Sequence, residues 1–406
     1  MKSRFFITFS FMIILIIFAF NTGYVLGQSP WAPVQVFSRG TMPVEAEETF
    51  APFWEVWGLV QARYFEQPLD DEQLMQGAIN GMLAALGDPN TRYLSPEAEA
   101  RAREGMAGEF EGIGAEITFE NGDLTIVSPI VGSPAEAAGL LPGDILRAAD
   151  GVELSNLDIM EAARLVRGPA GTSVTLTVER RGETFIVEVV RGVIRMPSVR
   201  GELLEENIAY VRLTQFGYET VADLQALLET LIPQNPRGLI LDLRRNPGGG
   251  LDTVVGVADQ FLDEGVILVE RFGDGRERVF SSTDEGLAQQ IPLVVLIDAG
   301  SASASEVLAG AVRARGRGVL IGQTTFGKGT IQTWHPLSDG GGVRITVARW
   351  LTPDETWVSE GGLAPDYFIP LPEEQNADAV DAQLQAAIAY LLGERINSVP
   401  PAENDG

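Results

Sequence analysis

Apolar and polar positions alternate along this chain with several different periods, and each period predicts a different kind of segment. Phe5 to Phe20 is an almost unbroken apolar run preceded by Lys2 and Arg4, and Tyr24-Val25-Leu26 extends it. Phe5 to Leu26 covers 22 residues, long enough to cross a bilayer as a helix. The basic residues before it predict that the bulk of the protein lies outside the cytoplasm. Val25-Leu26-Gly27 also fits a signal cleavage site, so residues 1–27 are a signal sequence or membrane anchor. Residues 28–49 hold prolines without periodicity and read as a linker. From Phe50 apolar residues recur at helical spacing through Phe53, Val56, Leu59 and Val60, then Leu74, Ala78, Met82 and Leu83. This predicts an N-terminal helical segment over 50–106. Gly87-Asp88-Pro89-Asn90-Thr91 breaks it as a turn. Ser95-Pro96-Glu97 supplies an N-cap, a proline at the first helical position and an acid in the first turn.

Over 107–193 the pattern shortens to runs of strand type. Ile113–Ile117, Leu124–Val127, Ile145–Ala148, Val174–Glu179 and Thr184–Val190 are strands with turns between them, joined by a helix over Asn156–Val166. Ser133 to Gly139 reads as a short capped helix closed by glycine. From Arg195 the pattern becomes alternating strands and helices. Gly238 to Leu243 shows no polar alternation until its end, and Leu293 to Ile297 is apolar throughout, as expected for strands buried on both faces. Helices are predicted over Thr220–Leu231, Leu251–Phe261 and Ser303–Arg315, and strands over Ile208–Leu213, Val319–Ile321 and Val343–Arg349. This is a mixed α/β core over 194–372. Residues 373–406 hold a last amphipathic helix, Ala377–Leu392, and a loose tail.

Composition removes several kinds of chemistry. The chain of 406 residues has a formal net charge of −27, which argues against nucleic acid and an anionic lipid surface as partners of the folded part. It has no cysteine and one histidine, His335. Disulfides, thiolate nucleophiles and multi-histidine metal sites are therefore excluded, and nothing calls for a metal or cofactor. Of the 29 basic residues only Lys2 and Lys328 are lysine, which leaves 27 arginines. The mature chain thus keeps a single lysine. Arginine stays protonated at any relevant pH, so a position that must lose a proton needs lysine.

Three glycine-bearing turns follow buried strands, where α/β proteins place their sites. Asp298-Ala-Gly-Ser301-Ala-Ser303-Ala-Ser305-Glu306 enters a helix. A serine there stands beside unpaired N–H groups that can hold an oxyanion, although Ser303-x-x-Glu306 also fits an ordinary capping box. Local pattern does not separate Ser301, Ser303 and Ser305. Phe326-Gly-Lys328-Gly-Thr-Ile-Gln332 sets the lysine between glycines. With histidine and cysteine effectively unavailable, Lys328 can serve as base if its pKa falls well below the ordinary 10.4. Asp242-Leu-Arg-Arg-Asn-Pro-Gly248-Gly249-Gly250 lacks both nucleotide-binding glycine patterns and fits better as a source of oxyanion donors.

These blocks resemble the tail-specific, carboxyl-terminal processing serine proteases. The resemblance runs from about Phe53 to Leu392. It includes Gly87-Asp88-Pro89, Tyr93-Leu94-Ser95-Pro96, Gly112-Ile113-Gly114, Arg167-Gly168-Pro169-Ala170-Gly171-Thr172, Asp242-Leu243-Arg244, Asn246-Pro247-Gly248-Gly249, Gly300 to Glu306 and Thr325 to Gly329. It implies that Ser303 is the nucleophile, Lys328 the general base and Gln332 the residue that orients it. The oxyanion hole would come from Ala304 and a glycine of the pair Gly248 and Gly249. The strand-rich 107–193 resembles the family's inserted PDZ domain. Its carboxylate loop would be Gly112, Ile113, Gly114 and Ala115, with Arg167 near the groove. The core resembles the crotonase and Clp protease group. The expected function is endoproteolysis of exported proteins or peptides with accessible C-terminal tails, at the membrane or secreted; a homo-oligomer stays open. A non-catalytic PDZ-containing peptide-binding scaffold is the main rival reading, and a crotonase-like acyl-thioester enzyme a second. The sequence departs from the family pattern over Asp354 to Glu360, a change that leaves the catalytic residues themselves in place.

Overall fold

The computed structural model describes residues 44–370 and 381–398, apart from 121, 156, 360 and 397. The apolar N-terminal run lies outside the described residues, none of whose helices is long and apolar enough to cross a membrane. The chain forms two units, residues 1–74 and 75–406. The first holds α1 (Val44–Arg63), which begins inside the segment read as linker. Helix α2 (Asp71–Ala84) opens at the end of this unit.

The second unit starts its sheets with a short strand, β1 (Arg92–Leu94), followed by α3 (Pro96–Ala107). Ser95 caps α3 as its sequence predicts, accepting from the Ala98 N–H at 3.3 Å. Gly108, left-handed at φ 66°, ends the helix. The PDZ region comprises β2 (Glu109–Gly112), β3 (Ala115–Glu120), β4 (Asp123–Pro129), α4 (Pro134–Ala137), β5 (Ile145–Ala149), β6 (Val152–Glu153), α5 (Ile159–Val166), β7 (Ser173–Arg180), β8 (Glu183–Val190) and β9 (Gly192–Arg195). Strands β3-β4-β5-β7-β8 form one antiparallel sheet with β3 at its edge, while β2 and β9 pair as a separate two-stranded ribbon. The inward residues Leu124, Ile126, Leu146, Val174, Leu176 and Val178 fill the core of this region beneath α5.

The remaining elements are β10 (Val199–Leu203), β11 (Ala209–Leu213), α6 (Thr220–Leu231), β12 (Leu239–Asp242), α7 (Leu251–Asp259), β13 (Gly265–Phe272), β14 (Glu277–Ser282), β15 (Leu293–Ile297), α8 (Ala304–Ala314), β16 (Gly318–Gly322), β17 (Thr330–Pro336), β18 (Gly342–Leu351), β19 (Tyr367–Phe368) and α9 (Ala382–Leu391). Strands β11-β12-β15-β16-β19 run parallel, and β10 adds an antiparallel edge. Leu239, Leu241, Val295 and Ile297 face α6, α7 and α8. Ile240, Val294, Leu296 and Ile321 face α9. Coverage on both sides is why these strands read as continuous apolar runs. Arg244 pairs with Asp242 at 2.7 Å and with Asp381, the N-cap of α9, at 2.8 Å. The Asp-Leu-Arg block therefore pins α9 to the sheet.

A second sheet is built on β18. Strands β1 and β13 lie along one of its edges and β17 along the other, all antiparallel. Four of its members, β1, β13, β14 and β17, were not foreseen from the hydrophobic pattern.

Candidate active site

Strands β12, β15 and β16 are neighbours, so the loops after them emerge side by side. Hydrogen bonds tie the first two loops together. The Arg245 N–H donates to Asp298 Oδ1 at 2.8 Å, and the Ala302 N–H to the Asn246 carbonyl at 3.0 Å. Ser301 Oγ donates to the Leu243 carbonyl at 2.8 Å, and Ser305 Oγ to the Asn246 carbonyl at 2.9 Å. Both of these hydroxyls are fully buried and hold the loops in register. Ser303, between them, is half-buried and adopts φ 56°, ψ −114°. That conformation costs a non-glycine residue on the order of 1–3 kcal/mol and persists only where its surroundings enforce it.

Glu306 supplies much of that enforcement. Its carboxylate is fully buried and accepts four hydrogen bonds. These come from the Ser303 N–H at 2.7 Å, the Lys328 N–H at 2.9 Å, the Gly327 N–H at 2.7 Å and Thr325 Oγ1 at 2.6 Å. One side chain thus holds the serine loop against the lysine loop. The capping-box spacing points at Glu306, but only as a local helix cap; its reach to the next loop is a tertiary fact.

The glycine turn lies against the serine. Gly248 has φ 98°, and a Cβ there would stand 2.6 Å from the Ala302 carbonyl oxygen and 2.9 Å from the Ser303 Cβ. Its N–H donates to Asn246 Oδ1 at 2.9 Å. The Gly250 N–H donates to the Phe216 carbonyl at 2.9 Å. Among the described residues the Gly249 N–H has no acceptor, and neither does that of Ala304 at the start of α8. Of the glycine pair proposed from the sequence, Gly249 is the one with a donor to offer.

Ser303, Ala304, Gly248, Gly249, Lys328 and Gln332 all line one cavity of about 410 Å³. Lys328 also lines a larger neighbouring cavity of about 1370 Å³. Burial holds the Lys328 amine below the ordinary lysine pKa, and the positive charges of Arg344 and Arg92 lower it further. The charges of Glu306 and Asp88 act in the opposite direction but do not reverse the shift. The Gln332 amide donates to Thr330 Oγ1 at 2.8 Å and Thr346 Oγ1 at 3.3 Å, which fixes its carboxamide on β17. Asn90, from the Gly-Asp-Pro turn, reaches the same Thr330 hydroxyl at 3.3 Å. The segment that departs from the family pattern is not remote. Trp357 Nε1 donates to the Gly329 carbonyl at 2.9 Å, next to the lysine. Among the described residues no cluster of acidic and histidine side chains could hold a metal ion.

The PDZ residues gather separately. Gly114 is left-handed at φ 76°, and a Cβ would stand 2.5 Å from the Ser133 Cβ. The carbonyls of Ile113 and Gly114 accept from the Ala135 and Ile130 N–H groups at 2.7 and 2.9 Å. The loop leads directly into the open edge strand β3, whose first residue is Ala115. Arg167 lies beside Gly112, with its guanidinium 4.9 Å from the centre of the Phe110 ring. His335 sits on β17 and shares a hydrogen bond with Thr333 Oγ1 at 3.0 Å.

Comparison with known proteins identifies the family. The model of peptidase family S41 matches residues 207–369, a PDZ-domain model matches 125–180, and the N-terminal domain model of the activating protease CtpB matches 30–98. The chain is 40% identical over 336 residues to the carboxy-terminal-processing protease of Bartonella bacilliformis, covering 80% of this chain and 76% of that protein. The chain belongs to the carboxy-terminal processing proteases. It is a serine-type peptidase of family S41 with a PDZ domain. It is also 34% identical over 381 residues to CtpB of Bacillus subtilis, covering 89% and 78% of the two chains. A solved S41 protease structure from Bacteroides fragilis matches with a TM-score of 0.52 at 18% identity, over 82% of this chain and 91% of that one, and shares the fold. Among the processing-protease residues that sequence reasoning assigned no part in the site, Glu306, Asp88, Arg92 and Arg344 bear on it directly.

Proposed function

We propose that this protease cuts exported proteins or peptides near their C-terminal tails through a dyad of Ser303 and Lys328. The neutral Lys328 amine takes the Ser303 hydroxyl proton as Oγ attacks the scissile carbonyl. The N–H groups of Gly249 and Ala304 hold the oxyanion of the tetrahedral intermediate. Lys328 then returns the proton to the leaving amine, and water releases the acyl-enzyme by the same sequence. Gln332 orients the amine. The substrate tail adds to β3 as an extra strand, its carboxylate received by the Gly112–Ala115 loop with Arg167 at the rim. The basic-then-apolar N-terminus delivers the core beyond the cytoplasm.

The observation that carries this reading is that Ser303, Lys328, Gln332, Gly249 and Ala304 line one cavity, where burial holds the amine below the ordinary lysine range. A solvated surface lysine would feel no such burial. The test is turnover and fluorophosphonate labelling of the wild type, Ser303→Ala, Lys328→Ala and Lys328→Arg. Turnover is expected in the wild type alone, and labelling is expected to disappear in Ser303→Ala. Full turnover in Lys328→Arg, which keeps the charge but cannot act as base, would refute the dyad.

A further inference from the structure

Arg344 is an anomaly inside the catalytic cavity. It lines the cavity together with Ser303 and Lys328. Its Nε is buried with no hydrogen-bond partner, and among the described residues it forms no ion pair. Arg92 stands directly opposite it in the pairing of β1 with β18. Like charges in that register destabilise a sheet. The acid whose charge reaches it, Glu99, is already committed: Trp334 Nε1 donates to one oxygen and Arg103 Nε to the other at 2.9 Å. The guanidinium lies over the Trp334 ring, 4.2 Å from its centre. That stacking fixes the plane of the group while leaving its N–H donors uncommitted.

The chain carries 56 acidic residues against 29 basic ones, yet Arg92 and Arg344 face each other here, and Glu99, the acid whose charge reaches Arg344, is shared with Trp334 and Arg103. Arg344 is half-buried, and a guanidinium whose buried Nε lacks a partner is costly; its ready complement is an anion presented by a ligand. A planar carboxylate matches the guanidinium fork, and a peptide substrate offers it from two sources, an acidic side chain or the terminal carboxylate.

We infer that Arg344 is a specificity-determining residue that binds a carboxylate of the substrate within the catalytic cavity. The inference deepens the protease reading and rests on it. It is distinct from tail capture at the PDZ loop, because Arg344 shares its cavity with the nucleophile.

The test uses one fluorogenic peptide core cut by the wild-type protein. The core is made with Asp or Asn at each position flanking the scissile bond, and with a free or amidated C-terminus. The ratio of kcat/KM between carboxylate and neutral partners is taken within each variant, so that any general loss of activity divides out. The wild type is expected to favour one carboxylate by about 10-fold or more, the scale of a single charge-assisted hydrogen bond. Arg344→Met is expected to bring that ratio to about 1, and Arg344→Lys to restore part of it. The Asp-versus-Asn arm identifies a side chain as the source, and the acid-versus-amide arm identifies the terminus. Should Arg344→Met turn over too slowly to measure, calorimetry of the same peptides on Ser303→Ala and on Ser303→Ala with Arg344→Met reads the same ratio as affinity. A wild type with no preference, or a preference surviving in Arg344→Met, overturns the inference. Failure of the protease reading looks different, because the wild type would then cut none of the peptides or Ser303→Ala would cut them as well as the wild type.

Discussion

The two main sheets of the second unit solve opposite problems. The parallel sheet of the core is covered on both faces, and the loops at its strand ends are cross-tied by Ser301, Ser305, Asn246 and Glu306. The PDZ sheet is antiparallel and leaves β3 as an open edge beside a glycine turn. The first arrangement freezes a geometry; the second keeps backbone groups available for another chain. Chemistry and capture should therefore separate in kinetics, with core changes acting on kcat and PDZ changes on KM.

The sharpest way to break that division is at the proposed dyad. Ser303→Ala and Lys328→Arg are each expected to lower kcat by about 10⁴-fold or more while thermal unfolding stays within a few degrees of the wild type. Glycine turns come next, since the same kind of change can be made in both regions. Gly248→Ala forces Cβ against the Ala302 carbonyl and the Ser303 Cβ, and is expected to lower kcat by about 10²-fold by displacing the oxyanion donors. Gly114→Ala is expected to raise KM about 10-fold for a tail-bearing peptide and to leave kcat nearly unchanged. If Gly114→Ala instead lowered kcat, capture and chemistry would be one event.

Glu306→Ala tests the cross-tie itself. It removes the shared acceptor of three N–H groups and one hydroxyl in a fully buried place. A loss of about 3 kcal/mol or more in urea unfolding is expected, together with reduced kcat.

The pH profile gives a finer reading. A base must be unprotonated to act, so kcat/KM should rise with pH through the Lys328 pKa, which lies below the ordinary lysine range. Removing the like charge of Arg344 raises that pKa, so Arg344→Met should move the rising limb to higher pH. The charges of Arg92, Glu306 and Asp88 remain in place around the amine. The smallest effect is expected from Trp357→Phe, which keeps a ring but loses the hydrogen bond to the Gly329 carbonyl. A cost near 1 kcal/mol, read as a few-fold fall in kcat, would show that this loop braces the lysine turn.

The core was legible from sequence because burial on both faces leaves a plain signal, as in Leu239 to Leu241 and Leu293 to Ile297. The same reasoning missed β1, whose three residues are too short to show a period, and β13, where Glu270 and Arg271 interrupt the alternation. Strand β17 follows so closely on the Lys328 turn that it read as part of a glycine loop. In the site, three serines at alternate positions were equivalent in the local pattern. They differ only in what meets them across the fold, the carbonyls of Leu243 and Asn246 for two of them. The cationic surroundings of Lys328 were likewise hidden, because Arg92 and Arg344 become neighbours only when β1 pairs with β18.

That pairing has a consequence for how the enzyme is made. Strand β1 emerges early from the ribosome and its partner β18 emerges late, so the wall bearing Arg344 cannot form on a partly translated chain. A nascent molecule therefore lacks this wall of the cavity until most of its length has been synthesised.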